Sequence, residues 1–298
     1  MFWHEKFYNF AMHKKSKMKY VLIALFLSVC GVGTAQTDFN KEIKNKGKFF
    51  FYWGWNRGYF SDSDITFKGE DYNFTLYDVK ASDRQTPFSV KYYLNPAHMT
   101  IPQTNYRIGY FFKENYTISL GVDHMKYVMN QDQMARINGE ISGSYPDGNG
   151  GDYQGVFTGN DMQLLDENFL QFEHTDGLNY VNIELSRFDN ISNFFRLNAK
   201  NFQINATEGI GVGILYPRTN TTLLGKERHD DFHVSGYGVS ARVGLDFTLF
   251  KYFFIMPELK AGYINMGNIR TTQSTKDSAS QSFGYFQTTI VFGGRFKI

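Results

Sequence analysis

The sequence predicts an all-β protein: an antiparallel up-and-down β-barrel that spans a membrane with eight strands. Long segments alternate apolar and polar residues with period two, which gives a strand one apolar and one polar face. The polar faces are rich in glycine, serine and threonine, which suits a cramped interior better than a wet surface. The chain also begins with a pattern typical of export. Its 298 residues are 18% aromatic, and aromatic residues favour strands.

Composition excludes several other classes of protein. The formal net charge is +2, so no basic excess points to nucleic acid. The aromatic residues are too many for a disordered chain. One cysteine excludes a disulfide scaffold or a multi-cysteine metal site. We expect no cofactor, no resident metal and no nucleic-acid partner.

Residues 1–35 are predicted to be an N-terminal extension followed by a secretory signal peptide. An apolar run at 21–29 follows four lysines between 14 and 19, and small residues follow the run. The run is too short for a transmembrane helix, which needs about 20 apolar residues. We place translation start at Met18 and cleavage between Ala35 and Gln36. The alternatives are an uncleaved N-terminal anchor and lipidation at Cys30.

The remaining chain is close to neutral. Residues 1–35 carry five lysines and one glutamate, so without them the net charge changes from +2 to −2. It also has no cysteine, because Cys30 is removed. This composition suits an oxidising compartment.

Eight segments carry the period-two pattern over nine or more residues. The first places Phe49, Phe51, Trp53, Trp55 and Tyr59 on one face and Gly54, Asn56 and Gly58 on the other. The predicted strands are 48–60, 105–113, 116–128, 178–188, 201–216, 234–249, 252–266 and 283–298.

A soluble β-sandwich or lipocalin-like barrel is the main alternative. In that case the apolar faces would point inward and the polar faces would meet water. A wet surface usually carries many lysines and glutamates, which the polar faces here lack. Aromatic residues also mark several strand ends, as in the interfacial girdles of membrane barrels. Examples are Tyr116, Tyr216, Tyr237, Tyr252 and Tyr263.

With its short turns, long polar loops and final aromatic strand, the chain resembles small Gram-negative outer-membrane β-barrels of the OmpA transmembrane-domain and OmpW type. The resemblance covers residues 48–298 as architecture. It implies residence in the outer membrane as a monomer, contact with outer-membrane lipid and lipopolysaccharide, and insertion by the barrel assembly machinery. Such barrels usually end on an aromatic residue, whereas Phe296 lies two places before the end.

The connection lengths predict the topology. Short connections follow residues 113 and 249, and an intermediate one follows residue 188. Long polar segments at 61–104, 129–177, 217–233 and 267–282 are predicted outer loops. Residues 36–47 form a short periplasmic lead-in, and 48–298 form one barrel domain. Residues 65–67 and 72–79 are two further strand candidates, which would make ten strands.

The inward faces are predicted to carry equal numbers of positive and negative charges. An eight-stranded barrel is only wide enough for side chains to fill. Charges in so small a space need partners, so we expect a paired network that closes the lumen. Its members are Arg107, Asp123, Glu184, Arg242, Asp246, Glu258, Lys260 and Arg295.

Three histidines and a serine are weak candidates for chemistry. His124 ends a predicted strand, whereas His229 and His233 lie in the third outer loop with Ser235 nearby. Histidines beside carboxylates could bind zinc or supply a general base. A solvated polar loop without fixed geometry is the simpler interpretation.

Two other residues interrupt the strand pattern. Glu208 breaks an outward face, which indicates a partner contact, a lateral opening or an offset toward the interface. Pro257 lies within a strand, where we expect a bulge or local opening.

Three functions remain open. The first is a non-enzymatic integral barrel, either structural or passing small apolar compounds sideways into the membrane. The second is an outer-leaflet enzyme that modifies lipid A, of the acylase or acyltransferase type, using the loop histidines. The third is an exported soluble lipid-binding barrel.

Overall fold

A computed structural model describes residues 44–95, 101–197, 201–229 and 231–298. The predicted signal peptide, its cleavage site and most of the lead-in lie outside these ranges. The described chain is almost entirely β-structure. Its strands are β1 (Lys48–Phe60), β2 (Ser63–Lys68), β3 (Tyr72–Val79), β4 (Ala81–Ser82), β5 (Thr104–Lys113), β6 (Tyr116–Met129), β7 (Gln133–Ile141), β8 (Gly155–Leu165), β9 (Leu170–Asn190), β10 (Phe202–Leu215), β11 (Asn220–Leu223), β12 (Gly236–Leu249), β13 (Phe253–Arg270) and β14 (Ser278–Lys297).

Eight strands close into a ring. In order around the ring they are β1, β5, β6, β9, β10, β12, β13 and β14, and each neighbouring pair is antiparallel. Strand β14 returns to β1, and this pairing extends from Lys48 opposite Lys297 to Phe60 opposite Tyr285. The predicted eight-stranded antiparallel barrel is therefore confirmed. The ten-stranded alternative is wrong, because β2 and β3 pair outside the ring.

Strands β2, β3, β7 and β8 form a second feature, which we call the outer sheet. It branches from the barrel where Ser278–Gln281 of β14 pair with β2, and it continues in the order β2, β3, β7, β8. The two shortest strands, β4 and β11, pair with β6 and β9. The segments 61–104, 129–177 and 217–233 therefore contain strands, although the sequence predicted loops there.

The two ends of the barrel differ. At one end, which we call the turn end, β5 joins β6 and β12 joins β13 through short connections. The outer sheet lies at the other end, the loop end. In the described chain the helical elements are a one-turn helix, Val90–Tyr93, and a 3₁₀ turn, Ser192–Phe195. Neither is long and apolar enough to cross a membrane.

The barrel interior is filled in three layers. An apolar layer lies at the turn end, and a charged layer lies in the middle. A larger apolar core fills the loop end and the space beneath the outer sheet, with Phe67, Phe172 and Phe283 among its members. A cavity of about 20 Å³ remains beside the first layer. The turn-end layer consists of Phe50, Tyr52, Phe111, Phe188, Phe254, Met256 and Val291.

The exterior of the barrel is apolar, because the predicted apolar faces point outward. We call this surface the belt. Twelve of its aliphatic side chains are between 43% and 59% exposed although they are large and apolar. They are Ile108, Ile118, Leu120, Ile183, Leu185, Ile210, Val212, Ile214, Val239, Leu245, Leu259 and Ile290.

Pro257 opens the wall locally without a bulge. The β12–β13 ladder is paired at Gly244–Glu258 and again at Phe247–Ile255, with the same register on both sides of the gap. Proline has no N–H to donate, so the ladder loses pairing there and then resumes.

Glu208 lies toward the turn end of the wall. It is opposite Arg187 in the β9–β10 ladder, and Arg187 is opposite Tyr116, the first residue of β6. Arg187 also forms an ion pair with Asp189, with Nε 2.7 Å from Oδ2. Glu208 therefore lies on the outward face of β10 beside the charged pair of Arg187 and Asp189.

Candidate functional site

The candidate site is the charged layer inside the barrel. All eight residues of the predicted network face the interior, and none is more than 6% exposed. Period-two alternation places them there, because each lies on the face of its strand opposite the belt. They come from six of the eight barrel strands.

Glu184 of β9 is the centre of the layer. Arg242 Nε donates to its Oε1, and Arg107 Nη2 lies 3.5 Å from its Oε2. Lys260 Nζ lies 4.0 Å from the same Oε2. Three cations from three other strands therefore surround one carboxylate.

Asp123 is the main partner of Lys260. Lys260 Nζ lies 2.6 Å from Asp123 Oδ2, although 137 residues separate the two in the chain. Asn105 donates to Asp123 Oδ1 at 2.7 Å, and Asn182 donates to Oδ2 at 3.3 Å. The carboxylate thus receives the several hydrogen bonds that a buried charge needs.

Arg107 is held by neutral groups as well as by charge. Its Nε donates to the hydroxyl of Tyr52 at 2.9 Å, and its Nη2 donates to Asn182 Oδ1 at 2.7 Å. Gly121 gives it room, because a Cβ there would lie only 2.8 Å from the guanidinium carbon. Any side chain at position 121 would displace Arg107.

Glu258 is the least satisfied member of the layer. Its Oε2 lies 3.6 Å from Arg242 Nη1. Within the described part of the chain that oxygen has no hydrogen-bond partner. Among the described residues, Arg242 is therefore the one cation that forms an ion pair with Glu258.

Arg295 and Asp246 form a separate pair nearer the turn end. Arg295 Nη2 donates to Asp246 Oδ2, and Asn205 donates to Asp246 Oδ1 at 2.8 Å. The guanidinium carbon lies 4.4 Å from the ring centroid of Phe188 and 4.5 Å from that of Phe254. This cation–π sandwich joins the charged layer to the turn-end aromatic layer.

The loop histidines do not form a nucleophile and base pair with Ser235. Ser235 Oγ donates to the backbone carbonyl of His233 at 3.3 Å and not to its imidazole. The ring of His233 lies 3.1 Å from Asn268 Nδ2 instead. His124 Nδ1 lies 2.8 Å from Asn179 Oδ1. The side chains of His124, His233 and Ser235 therefore have separate partners.

His229 is also separate from the others. Its Nε2 lies 3.7 Å from Asp231 Oδ2. No group of three His, Cys, Asp or Glu side chains among the described residues could hold a metal ion.

A second charged cluster, which we call the outer clasp, lies at the top of the outer sheet. It consists of Lys226, Asp71, Tyr72, Tyr145 and Asp277. Lys226 Nζ lies 3.2 Å from Asp277 Oδ2 and 3.7 Å from Asp71 Oδ1. Burial and the neighbouring Asp277 carboxylate raise the pKa of Tyr72. No sequence motif marks this cluster, because its members come from four distant segments.

A further cavity in the described chain lies outside the lumen. It is a groove of about 250 Å³ on the outward side of the loop-end parts of β6, β9 and β11. Arg84 and Glu173 form an ion pair in it, with Nη2 2.8 Å from Oε2. Gln131, Asn220 and Arg228 are among the other polar residues that line it.

These features define a closed eight-stranded β-barrel with an apolar exterior, a filled and charged interior, and a sheet that extends beyond one end. No protein-family model matches the chain, and no curated protein matches it.

Solved structures of outer-membrane proteins are among those that the chain resembles. OprG from Pseudomonas aeruginosa is 11% identical with a TM-score of 0.38, covering 86% of this chain and 98% of that chain. Neisserial surface protein A is 8% identical with a TM-score of 0.33, covering 85% and 98%. The outer membrane protease OmpT from Escherichia coli is 12% identical with a TM-score of 0.30, covering 84% and 96%. Likenesses this distant carry no argument about function, which rests on the geometry.

Proposed function

We propose that the protein is an integral β-barrel of the outer membrane, non-enzymatic, whose lumen is plugged and whose role is structural. One observation carries the proposal: the belt is apolar and exposed while all eight charged residues of the network lie inside. A barrel that carries lipid in water would have the opposite arrangement.

The belt is the reason for placing the barrel in a bilayer. Twelve half-exposed aliphatic side chains on one continuous surface are unfavourable in water, at about 25 cal/mol per Å² of apolar area. Lipid removes that penalty. A closed ring also pairs its backbone groups within the ladder, and a bilayer accepts β-structure only in that form.

The export signal predicted at residues 1–35 supports the outer membrane in particular. The turn end would then face the periplasm, and the outer sheet would face the outside, as in bacterial barrels with short inner turns and long outer loops. The belt would contact outer-membrane lipid and lipopolysaccharide.

The three interior layers support a plugged lumen. The cavity of about 20 Å³ beside Arg295 has room for about one water molecule. A hydrated ion needs a wider path than this. Small apolar compounds would also need a route through the wall, and the local gap at Pro257 does not supply one through the packed interior.

The geometry of Ser235 supports a non-enzymatic role over lipid A modification. A serine nucleophile needs a base within hydrogen-bond reach. The hydroxyl of Ser235 donates to a backbone carbonyl instead. The imidazoles of His124, His229 and His233 each have other neighbours. We therefore propose that the barrel serves to hold the outer sheet at the cell surface.

Gel mobility and cell fractionation test this proposal. A membrane barrel should stay folded in cold detergent, so unheated protein should migrate differently from boiled protein. It should also be recovered with outer-membrane fragments. Identical mobility together with recovery in the soluble periplasmic fraction would overturn the proposal.

A further inference from the structure

The segment from Thr86 to Asn95, which we call the rim segment, lies against the barrel wall at the loop end. The Tyr93 ring centroid is 5.6 Å from that of Trp55, which lies on the outward face of β1. Phe88 packs on Tyr93 at 5.1 Å. The rim segment therefore continues the belt at its upper edge.

Hydrogen bonds fix the rim segment in this position. Lys126, on the outward side of β6, donates to Thr86 Oγ1 at 3.3 Å and to the carbonyl of Ile101 at 2.7 Å. The hydroxyl of Tyr93 donates to the carbonyl of Thr86 at 2.6 Å. Ser89 caps the one-turn helix by accepting from the backbone N–H of Tyr92. The segment is thus attached to β1 and β6 and presents a defined outer face.

That outer face is strongly apolar. Phe88 is 75% exposed, Val90 65% and Leu94 57%. Three large apolar side chains so exposed within seven residues form a patch, and patches of this kind mark contact with a membrane or a protein. Their continuity with the belt favours the membrane.

The charges around the patch select the kind of membrane surface. Lys91 lies within the helix, and Arg57 lies two residues beyond Trp55 on the outward face of β1. With Lys126 they make three cations. The nearby carboxylate of Asp83 accepts a hydrogen bond from the backbone N–H of Gly58 at 3.0 Å. Cations beside an apolar face bind anionic headgroups.

We infer that the rim segment is an interfacial anchor for the outer leaflet. Phe88, Val90 and Leu94 reach the boundary between headgroups and acyl chains, and Lys91 and Arg57 contact the anionic groups of the lipid. The inference rests on the proposed membrane residence of the barrel. It adds a point of contact beyond the strands, on the β1–β5–β6 side.

Site-specific fluorescence tests the anchor. The chain has a single cysteine, Cys30, which the predicted cleavage removes. Single cysteines at Phe88, Ile210 and Val156 would therefore carry an environment-sensitive fluorophore at one known site each. Ile210 is on the belt, and Val156 on β8 of the outer sheet is as exposed as Phe88. The labelled proteins are reconstituted in phosphatidylcholine vesicles that contain phosphatidylglycerol and brominated acyl chains.

We expect brominated lipid to quench the labels at 88 and 210 and to leave the label at 156 bright. If the label at 210 is quenched and the label at 88 stays as bright as the label at 156, the proposed anchor is wrong, whereas the membrane barrel is supported. If 88 and 210 both stay bright, the membrane assignment itself fails, and the anchor fails with it. Gel mobility of unheated samples confirms that each variant has folded.

The charge requirement has its own measurement. Quenching at 88 should be stronger with phosphatidylglycerol than with phosphatidylcholine alone. Replacing Arg57→Gln and Lys91→Gln together should abolish this difference. The matched control is Lys276→Gln, which removes an exposed lysine of the same type at the top of the outer sheet. Equal quenching in the two lipids with the unaltered charges would overturn the headgroup contact.

Discussion

The ammonium of Lys226 lies 4.6 Å from the ring centroid of Tyr72, between two carboxylates. Lys226 follows β11, whereas Tyr72 begins β3. Tyr145, in the connection between β7 and β8, donates its hydroxyl to Asp71 beside the same ammonium. One lysine thus joins segments of the outer sheet to the connection that follows β11.

Lys226→Ala should loosen these segments. The backbone amides of 142–154 and 271–277 should exchange hydrogen faster, because Asp71 and Asp277 lose their shared cation. Lys276→Ala is the control, since its pair with Glu70 is exposed on both sides and contributes little. Hydrogen-exchange mass spectrometry distinguishes the two variants. Equal exchange in both would show that the outer clasp does not hold the sheet.

Arg242→Ala should destabilise the barrel strongly. Glu184 and Glu258 would lose a cation in a site where Arg242 is only 4% exposed. Removing one partner of a buried ion pair costs about 3–5 kcal/mol, and less if water enters. The control is Arg136→Ala, whose pair with Asp78 is more than half exposed on both sides and should cost less than about 1 kcal/mol. Urea unfolding in detergent gives both values, and similar losses would contradict a buried network.

The same variant should change permeability. We expect purified wild-type protein to show no steady conductance in a planar bilayer, because side chains fill the lumen. Arg242→Ala removes a long side chain from the middle layer and should produce leakage. Arg136→Ala should remain silent. Large, steady openings from the wild type would show that the charges line a channel.

His174 should make the loop end sensitive to mild acid. Its ring is completely buried, with Nδ1 2.8 Å from Thr219 Oγ1, and burial lowers its pKa to about 4. The unfolded chain has a histidine pKa of about 6.5, so between these values only the unfolded state binds the proton. Stability should therefore fall as pH drops from about 6.5 to about 4, by roughly 1–3 kcal/mol.

Urea unfolding at pH 7 and pH 5 measures this effect. His174→Gln retains a hydrogen-bonding group but cannot titrate, so the difference between the two pH values should shrink. If the variant keeps the full difference, other groups are responsible.

An epitope inserted at Gly148 should be detected on intact cells. This residue lies in the connection between β7 and β8, at the far end of the outer sheet. An insertion at Glu114, in the turn between β5 and β6, should be detected only after the envelope is opened. Surface labelling with an antibody checks both positions. A hidden tag at 148 with a visible tag at 114 would reverse the proposed orientation.

The barrel could be predicted from sequence because period two extends over each of its strands. Ile118, Leu120 and Val122 are one such run, and the structure places all three on the belt. The outer sheet could not be predicted in the same way, because the period-two pattern is interrupted in its strands. In β7, Ala135, Ile137 and Ile141 face the core, but Gly139 occupies the position between the last two and breaks the pattern. The sequence indicates β2 and β3 as candidate strands, but the period-two pattern does not show which strands they pair with.

The members of the charged layer follow from alternation, but their pairing does not. Period two shows that Lys260 and Asp123 both point inward. The 2.6 Å distance between Lys260 Nζ and Asp123 Oδ2 depends on the stagger of the strands around the ring. No local sequence pattern determines that stagger. The outer clasp is still less visible, because Lys226 and Asp71 lie in polar segments without any period.

Strand β14 has a consequence for biogenesis. Its last 13 residues close the barrel against β1, and its first four begin the outer sheet against β2. Strand β14 follows the other strands in the chain, so neither structure can be completed until this strand has been made. A chain truncated before residue 278 would lose the closure of the ring and the attachment of the outer sheet together. Display of a correctly folded outer sheet on a cell would therefore report that the barrel beneath it had sealed.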